Sequence, residues 1–328
     1  MSGRILVVEE WRPVVAALLL LLPALAGCPR RAPEPEPVRV FVSPDLPAAV
    51  LAEAAGRFGV ARAVPVARAE EAEVAWLSDP TEALALGDRV AAGSAPDAPE
   101  VEARWKDPRG RFAPLGARAR VLLLSPAARL AIAPAHLRDL VDPRLAGRQA
   151  LVPLGRGAGP VTVAALALVH GEASAARFVD QLARARPQLV ASDGEVRARV
   201  AAGLADVGLA GSTEGAAGAA SAAALAVVYP DQAGRGAVVL PTAVVRLAGS
   251  GAAAGRLAAW LAGPDFERVS VARLPGLLPL REGVPVPVGV EPGPHLRSLA
   301  IDWDRLAETE KRLEAALATW PEGVEQAR

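Results

Sequence analysis

The chain has 328 residues, 52% of them apolar and 22% charged, with 36 Lys+Arg balanced by 36 Asp+Glu. That length and composition call for a packed protein with more than one core and exclude a disordered chain. Balanced charge provides no basic field for nucleic acid, and a single cysteine excludes an internal disulfide or a thiolate zinc site.

Arg4 and Arg12 flank the start of an apolar run from Val14 to Ala26. The run is short for a membrane span and suits the core of a signal peptide. It ends in Leu25-Ala26-Gly27-Cys28, which resembles a bacterial lipobox. Residues 1–27 are therefore expected to be a signal peptide, with Cys28 becoming the lipidated N-terminus. Residues 28–37 include PRRAPEPEP, whose alternating Pro and Glu favour an extended spacer.

Beyond the spacer, Val38–Val42 reads as a strand, Pro47–Phe58 as a helix, and Ala63–Val66 and Glu73–Leu77 as further strands. This start is that of an α/β layer protein. Strands are expected at Arg118–Leu124, Gln149–Pro153, Val207–Ala210, Leu225–Tyr229, Val238–Leu240 and Thr242–Leu247. Helices are expected at Val161–His170, Ala173–Ala185, Ala253–Leu261 (closed by Gly263-Pro264) and Trp303–Trp320. The tract Gly211–Ala224 is low in complexity and reads as a loop with a weak helix.

Candidate polar residues sit where these elements end. Ser43 and Asp45 follow the first strand, at the strand end where α/β sheets place ligands, and they are equally good turn formers. Ser78 and Asp79 follow another strand and could also cap a helix through Glu82 and Leu84. Arg118 and Arg120 are read as facing opposite sides of their strand, with Arg118 turned to the ligand; its guanidinium suits a carboxylate or phosphate, or a structural salt bridge. Gly155–Thr162 precedes a helix; Gly157, Gly159 and Thr162 are candidates for holding an anion at its N-terminus, though Pro160 removes one donor. The histidines, at 136, 170 and 295, show no ligand spacing and read as surface residues. No metal set, Walker loop or catalytic triad order stands out, and no enzyme is expected. Asp302 and Asp304 read as helix-capping residues.

Several segments, in order, resemble the type 2 periplasmic solute-binding proteins, and most closely the ferric-iron-type ABC transporter substrate-binding family. They are Val40–Asp45, Ala72–Pro80, Trp105–Phe112 leading into Arg118–Leu122, Leu140–Arg148, Val227–Gln232, Leu278–Arg281 and Ile301–Trp303. The resemblance implies two α/β lobes, a two-strand hinge and a ligand cleft between the lobes. Lobe 1 would comprise 38–124 and 230–328, and lobe 2 would comprise 125–229. It adds Ser212, Thr213, Glu214 and Tyr229 to the candidate ligand contacts. That family's iron binders use adjacent tyrosines with a histidine and a carboxylate near the N-terminus. Tyr229 is the only tyrosine here and no histidine precedes His136, so phenolate-held iron is not expected. The resemblance thus implies a monomeric, lipid-anchored protein on the periplasmic side of a membrane. It would deliver a small polar, anionic solute to an ABC permease and ATPase, without cofactor, metal or nucleic acid. The alternative is a receptor-like or scaffolding lipoprotein that keeps the fold without transport.

Overall fold

The computed structural model describes residues 36–320, apart from 91, 92, 94, 222–224, 287–289 and 292. The expected signal segment, Cys28 and nearly all of the linker lie outside the described residues, as does the end of the Gly/Ala-rich tract.

The strands are β1 (Pro37–Val42), β2 (Arg62–Pro65), β3 (Val74–Leu77), β4 (Ala113–Leu124), β5 (Gln149–Leu151), β6 (Gln188–Leu189), β7 (Val207–Gly211), β8 (Ala226–Val228) and β9 (Val239–Arg246). They hydrogen-bond in the order β2-β1-β3-β9-β4-β7-β5-β6, with β8 on β4. The helices are α1 (Ala48–Arg57), α2 (Pro80–Ala85), α3 (Pro126–Ala131), α4 (Gly159–His170), α5 (Glu172–Arg184), α6 (Asp193–Ala201), α7 (Ser212–Ala219), α8 (Ala252–Leu261), α9 (Pro264–Arg273) and α10 (Trp303–Ala318).

The 12-residue β4 joins the two halves of this arrangement. Its first part runs antiparallel to β9, and its last residues pair antiparallel with β7 and β8. β1, β2 and β3 are mutually parallel on one side, as are β5, β6 and β7 on the other. Parallel strands need helical crossovers, which cover both faces and leave nearly continuous apolar strands. β3 illustrates this, because all four of its residues are buried. Val74 and Trp76 point into a core with Leu51, Leu257 and Phe266, while Ala75 and Leu77 point into another with Val161 and Leu306. Leu122 and Leu124 join Leu151, Leu209 and Leu182 in a core on the far side of the molecule; Val121 and Leu123 join Val196 and Val200 across the sheet from it.

A buried polar relay ties the centre together. The Trp76 indole donates to the Thr242 hydroxyl at 2.9 Å, and that hydroxyl donates to the Leu115 carbonyl. The fold is therefore α/β with a two-lobed plan, β4 and the approach to β9 being the connections. Helix α10 packs against α2 and α4, placing Leu306 in one core and Leu317 in another.

Some local expectations differ from the structure. β9 is one strand, although Pro241 suggested a break. Ala117, opposite Pro241, exchanges its backbone hydrogen bonds with Leu278 instead, so the missing N–H of Pro241 orphans nothing. Gly263-Pro264 does not only close α8. It opens α9, with Pro264 in the first turn and Asp265 and Glu267 behind it. Helix α6 was not foreseen, although the Ser192 side chain caps it by accepting from the Glu195 N–H.

Candidate ligand-binding site

A cavity of about 500 Å³ opens beside the middle of β4. Strand ends and helix starts converge there, so backbone direction alone gathers loops around it. From one side come Asp45 after β1 and Ser78 and Asp79 after β3. From the other come the turn before α4, the start of α6, and Thr213 and Glu214 at the start of α7.

Arg118 and Arg120 both line the cavity. The expectation that they face opposite sides was wrong, because residues two apart on a strand share a face. Each is held by a carboxylate from a different side. Arg118 forms an ion pair with Asp45 and donates to the Ser78 carbonyl at 3.0 Å. Arg120 donates from Nη1 to Asp193 at 3.0 Å, and the same Asp193 oxygen accepts the Gly211 N–H at 2.7 Å. Arg120 is only 9% exposed, and its Nε–H is buried without a partner. Burial works to raise the Asp45 carboxyl, but the Arg118 charge and the Ser78 hydroxyl overcome it and hold Asp45 below the usual range.

The turn before α4 supplies a different chemistry. Arg156 is exposed and has no ion-pair partner among the described residues. The N–H groups of Gly157, Ala158 and Val161 are taken by no hydrogen bond within the described protein. They stand at the positive end of a 12-residue helix. Gly159 is required by close approach, since a Cβ there would lie 2.3 Å from the Leu154 carbonyl oxygen. The Thr162 hydroxyl donates back to the Ala158 carbonyl, so Thr162 lines the cavity but has spent its proton locally.

The structure thus brings together Asp45, Ser78, Asp79, Arg118, Gly157, Gly159, Thr162 and Thr213. It leaves Ser43, Ser212 and Tyr229 out of the lining. Ser43 is buried behind the wall, where it donates to Glu82 at 2.5 Å and accepts the Ser78 N–H at 3.2 Å. Ser212 donates to the Gly276 carbonyl at 2.6 Å and accepts the Ala119 N–H at 3.2 Å, so it braces the frame. Tyr229 packs against a core cluster, and burial pushes its phenol up to about 12. Arg156, Arg120 and Asp193 are the charged lining residues that sequence reasoning did not select, whereas Glu214, added by the resemblance, does line the cavity. Asp79 combines both roles considered for it: it lines the cavity and caps α2 by accepting from the N–H groups of Thr81 and Glu82.

Behind this wall lies an acidic pair. Burial raises Glu82, against the Ser43 hydroxyl. On α10, burial pushes the Glu310 carboxyl up to about 7, opposed by the Thr81 hydroxyl and reinforced by the charges of Asp79, Glu82 and Glu314. A carboxyl raised in the folded state binds its proton more tightly there than in the unfolded chain. Its stabilising contribution is full below about pH 4.5 and is lost as pH rises through about 7. Glu310→Gln should therefore match the wild type in melting temperature at about pH 4.5 and exceed it at about pH 8. Parallel melting curves across that range would contradict the assignment.

Among the described residues, no group of three or more His, Cys, Asp or Glu side chains is arranged to hold a metal ion. His136 pairs with Asp231 at 2.7 Å and shares a surface depression with His170, away from the cavity.

The family model described as "Bacterial extracellular solute-binding protein" matches residues 86–309, more than half of the chain. The chain belongs to this family. No curated protein matches it by sequence. Among solved structures, the apo ferric ion-binding protein A of Pasteurella haemolytica is 17% identical, with a TM-score of 0.73 over 88% of this chain and 98% of that one. Iron-bound HitA from Pseudomonas aeruginosa is 19% identical, with a TM-score of 0.73 over 86% and 99%. AfuA from Actinobacillus pleuropneumoniae, solved with fructose-6-phosphate bound, is 14% identical, with a TM-score of 0.71 over 88% and 99%. At these identities the likeness is one of fold, that of the two-lobed periplasmic binding proteins. No helix among the described residues of this solute-binding protein is long and apolar enough to cross a membrane.

Proposed function

We propose that this protein captures a small polar solute bearing an anionic group in the cavity beside β4 and presents it to an ABC permease with its ATPase. The observation that carries this reading is the unpaired Arg156 beside free backbone donors at the start of α4, in a cavity that Arg120, with its buried and unpartnered Nε–H, also lines. Guanidinium groups and helix-start N–H groups together suit a carboxylate, phosphate or phosphonate. Residues 38–124 with 230–328, and residues 125–229, serve as the lobes that close over the solute. Cys28 anchors the protein as a monomer to a membrane of the cell envelope, on its periplasmic side, and no catalytic step is involved.

Relatives in fold bind ferric iron, and HitA was solved in its iron-bound form. Iron held by phenolates finds no support here, since the single tyrosine is partly buried against a core cluster and does not line the cavity. A second reading, a scaffolding lipoprotein without transport, draws on the ion pairs that already occupy Arg118 and Arg120. A thermal-shift panel of ferric citrate, phosphate, phosphonates, carboxylates and sugar phosphates separates the two. A solute at 100 times its dissociation constant should add about 2.7 kcal/mol of stability. Arg156→Gln should remove that shift and leave the unliganded melting temperature unchanged. A cooperative melt with no shift from any anion would favour the scaffold.

A further inference from the structure

The cavity is not simply basic. Its cations are Arg118, Arg120 and Arg156, but Asp45, Asp79, Asp193 and Glu214 line it as well. Asp45 spends both oxygens, one on the Ser78 hydroxyl and the other on Arg118. The other carboxylates do not. Asp79 receives all its hydrogen bonds on Oδ1. Asp193 accepts on Oδ2 alone, and Glu214 accepts from Arg197 on Oε2 alone. One oxygen of each is therefore unengaged in a cavity that also holds an unpaired guanidinium and a buried, unpartnered N–H.

We infer that the solute is a zwitterion, whose anionic group meets Arg156 and the start of α4 and whose ammonium group meets the free oxygen of Asp79. The inference rests on the anion-capture reading above and deepens it. Asp193 and Glu214 are paired with Arg120 and Arg197, but Asp79 has no ion-pair partner among the described residues. A solute carrying only negative charge would close the cavity on that unneutralised carboxylate, and burying an uncompensated charge is costly. An ammonium group has three donors and no acceptor, which matches an oxygen that has no donor of its own. A hydroxyl would satisfy the oxygen and leave the charge. The two ends also come from different sides of the molecule: Asp79 follows β3 and caps α2, whereas Arg156 precedes α4. A bipolar solute thus bridges the two sides, which a single charged group does not.

Matched probes test this directly. Titration calorimetry on the purified protein would use propylphosphonate, 3-hydroxypropylphosphonate and 3-aminopropylphosphonate, then butyrate, 4-hydroxybutyrate and 4-aminobutyrate. In at least one series the amino member is expected to bind about tenfold or more tighter than its partners. Asp79→Asn keeps the α2 cap, because Asn caps as well as Asp, and removes the charge. It should erase that preference and tighten the binding of the plain anion, which then no longer meets an unneutralised carboxylate. Arg156→Gln should weaken every member of a series. Equal or tighter binding of the amino-free members, or an amino preference that survives in Asp79→Asn, overturns the zwitterion and leaves anion capture standing. Binding by none of the probes overturns both.

Discussion

Replacing Arg281 by methionine should cost about 3–5 kcal/mol of folding stability, read as a lowered midpoint in urea. Arg281 is 4% exposed and Glu267 is fully buried. The guanidinium donates to Glu267 at 2.9 Å, to the Ala262 carbonyl, and to Glu100 at 3.4 Å. The second oxygen of Glu267 accepts the Leu280 N–H at 2.7 Å. The pair therefore pins the segment after α9 to the end of α8, and removing the cation strands a carboxylate in the core. Its net worth is smaller than that loss, because taking both ions out of water is itself expensive. The double variant Glu267→Gln with Arg281→Met should then be more stable than Arg281→Met alone, with Gln still accepting from Leu280. A double variant as weak as the single one would show that the loss comes from packing and the Ala262 contact, not from a stranded charge.

Gly276→Ala should lower stability by a comparable amount. Gly276 has φ +88, a region that L side chains rarely adopt, and an added Cβ would lie 2.2 Å from the Ser212 carbonyl oxygen. Strain at such a backbone position costs about 1–3 kcal/mol, and overpacking a tight contact costs about 1–3 kcal/mol more. The Ser212 hydroxyl donates to the Gly276 carbonyl in the same contact, so two chain segments meet here backbone to backbone. Gly171→Ala also sits at positive φ, but nothing lies within 4 Å of its added Cβ. It should cost only the backbone share. Equal losses for the two variants in urea titrations would rule out the close approach as the cause.

Apolar runs made most strands legible, because buried parallel strands are recognisable without alternation. β3 and β7 were readable for that reason. What escaped depended on partners distant in sequence. Pro241 stays inside β9 only because Leu278 takes over the backbone groups opposite it, which no local pattern announces. The lining loops were placed by their position after strands, and Asp45, Ser78 and Asp79 do meet at one cavity. Ser43 and Ser212 look equally suitable in sequence, but neighbouring carbonyl and carboxylate groups claim their hydroxyls. Two signals were available and unused. Arg156 stood within the glycine-rich turn whose glycines were selected, and Ser192-Asp193 before Val196 and Val200 carries the form of a helix start.

The shared strand β4 has one more consequence. Arg118 and Arg120 are anchored two residues apart on it, about 6.6 Å along the strand. Covalent geometry keeps that spacing, whatever the walls on either side do. The side chains of Arg118 and Arg120 therefore start from fixed points in the floor of the cavity, and one strand holds the Asp45 pair on one side in register with the Asp193 pair on the other.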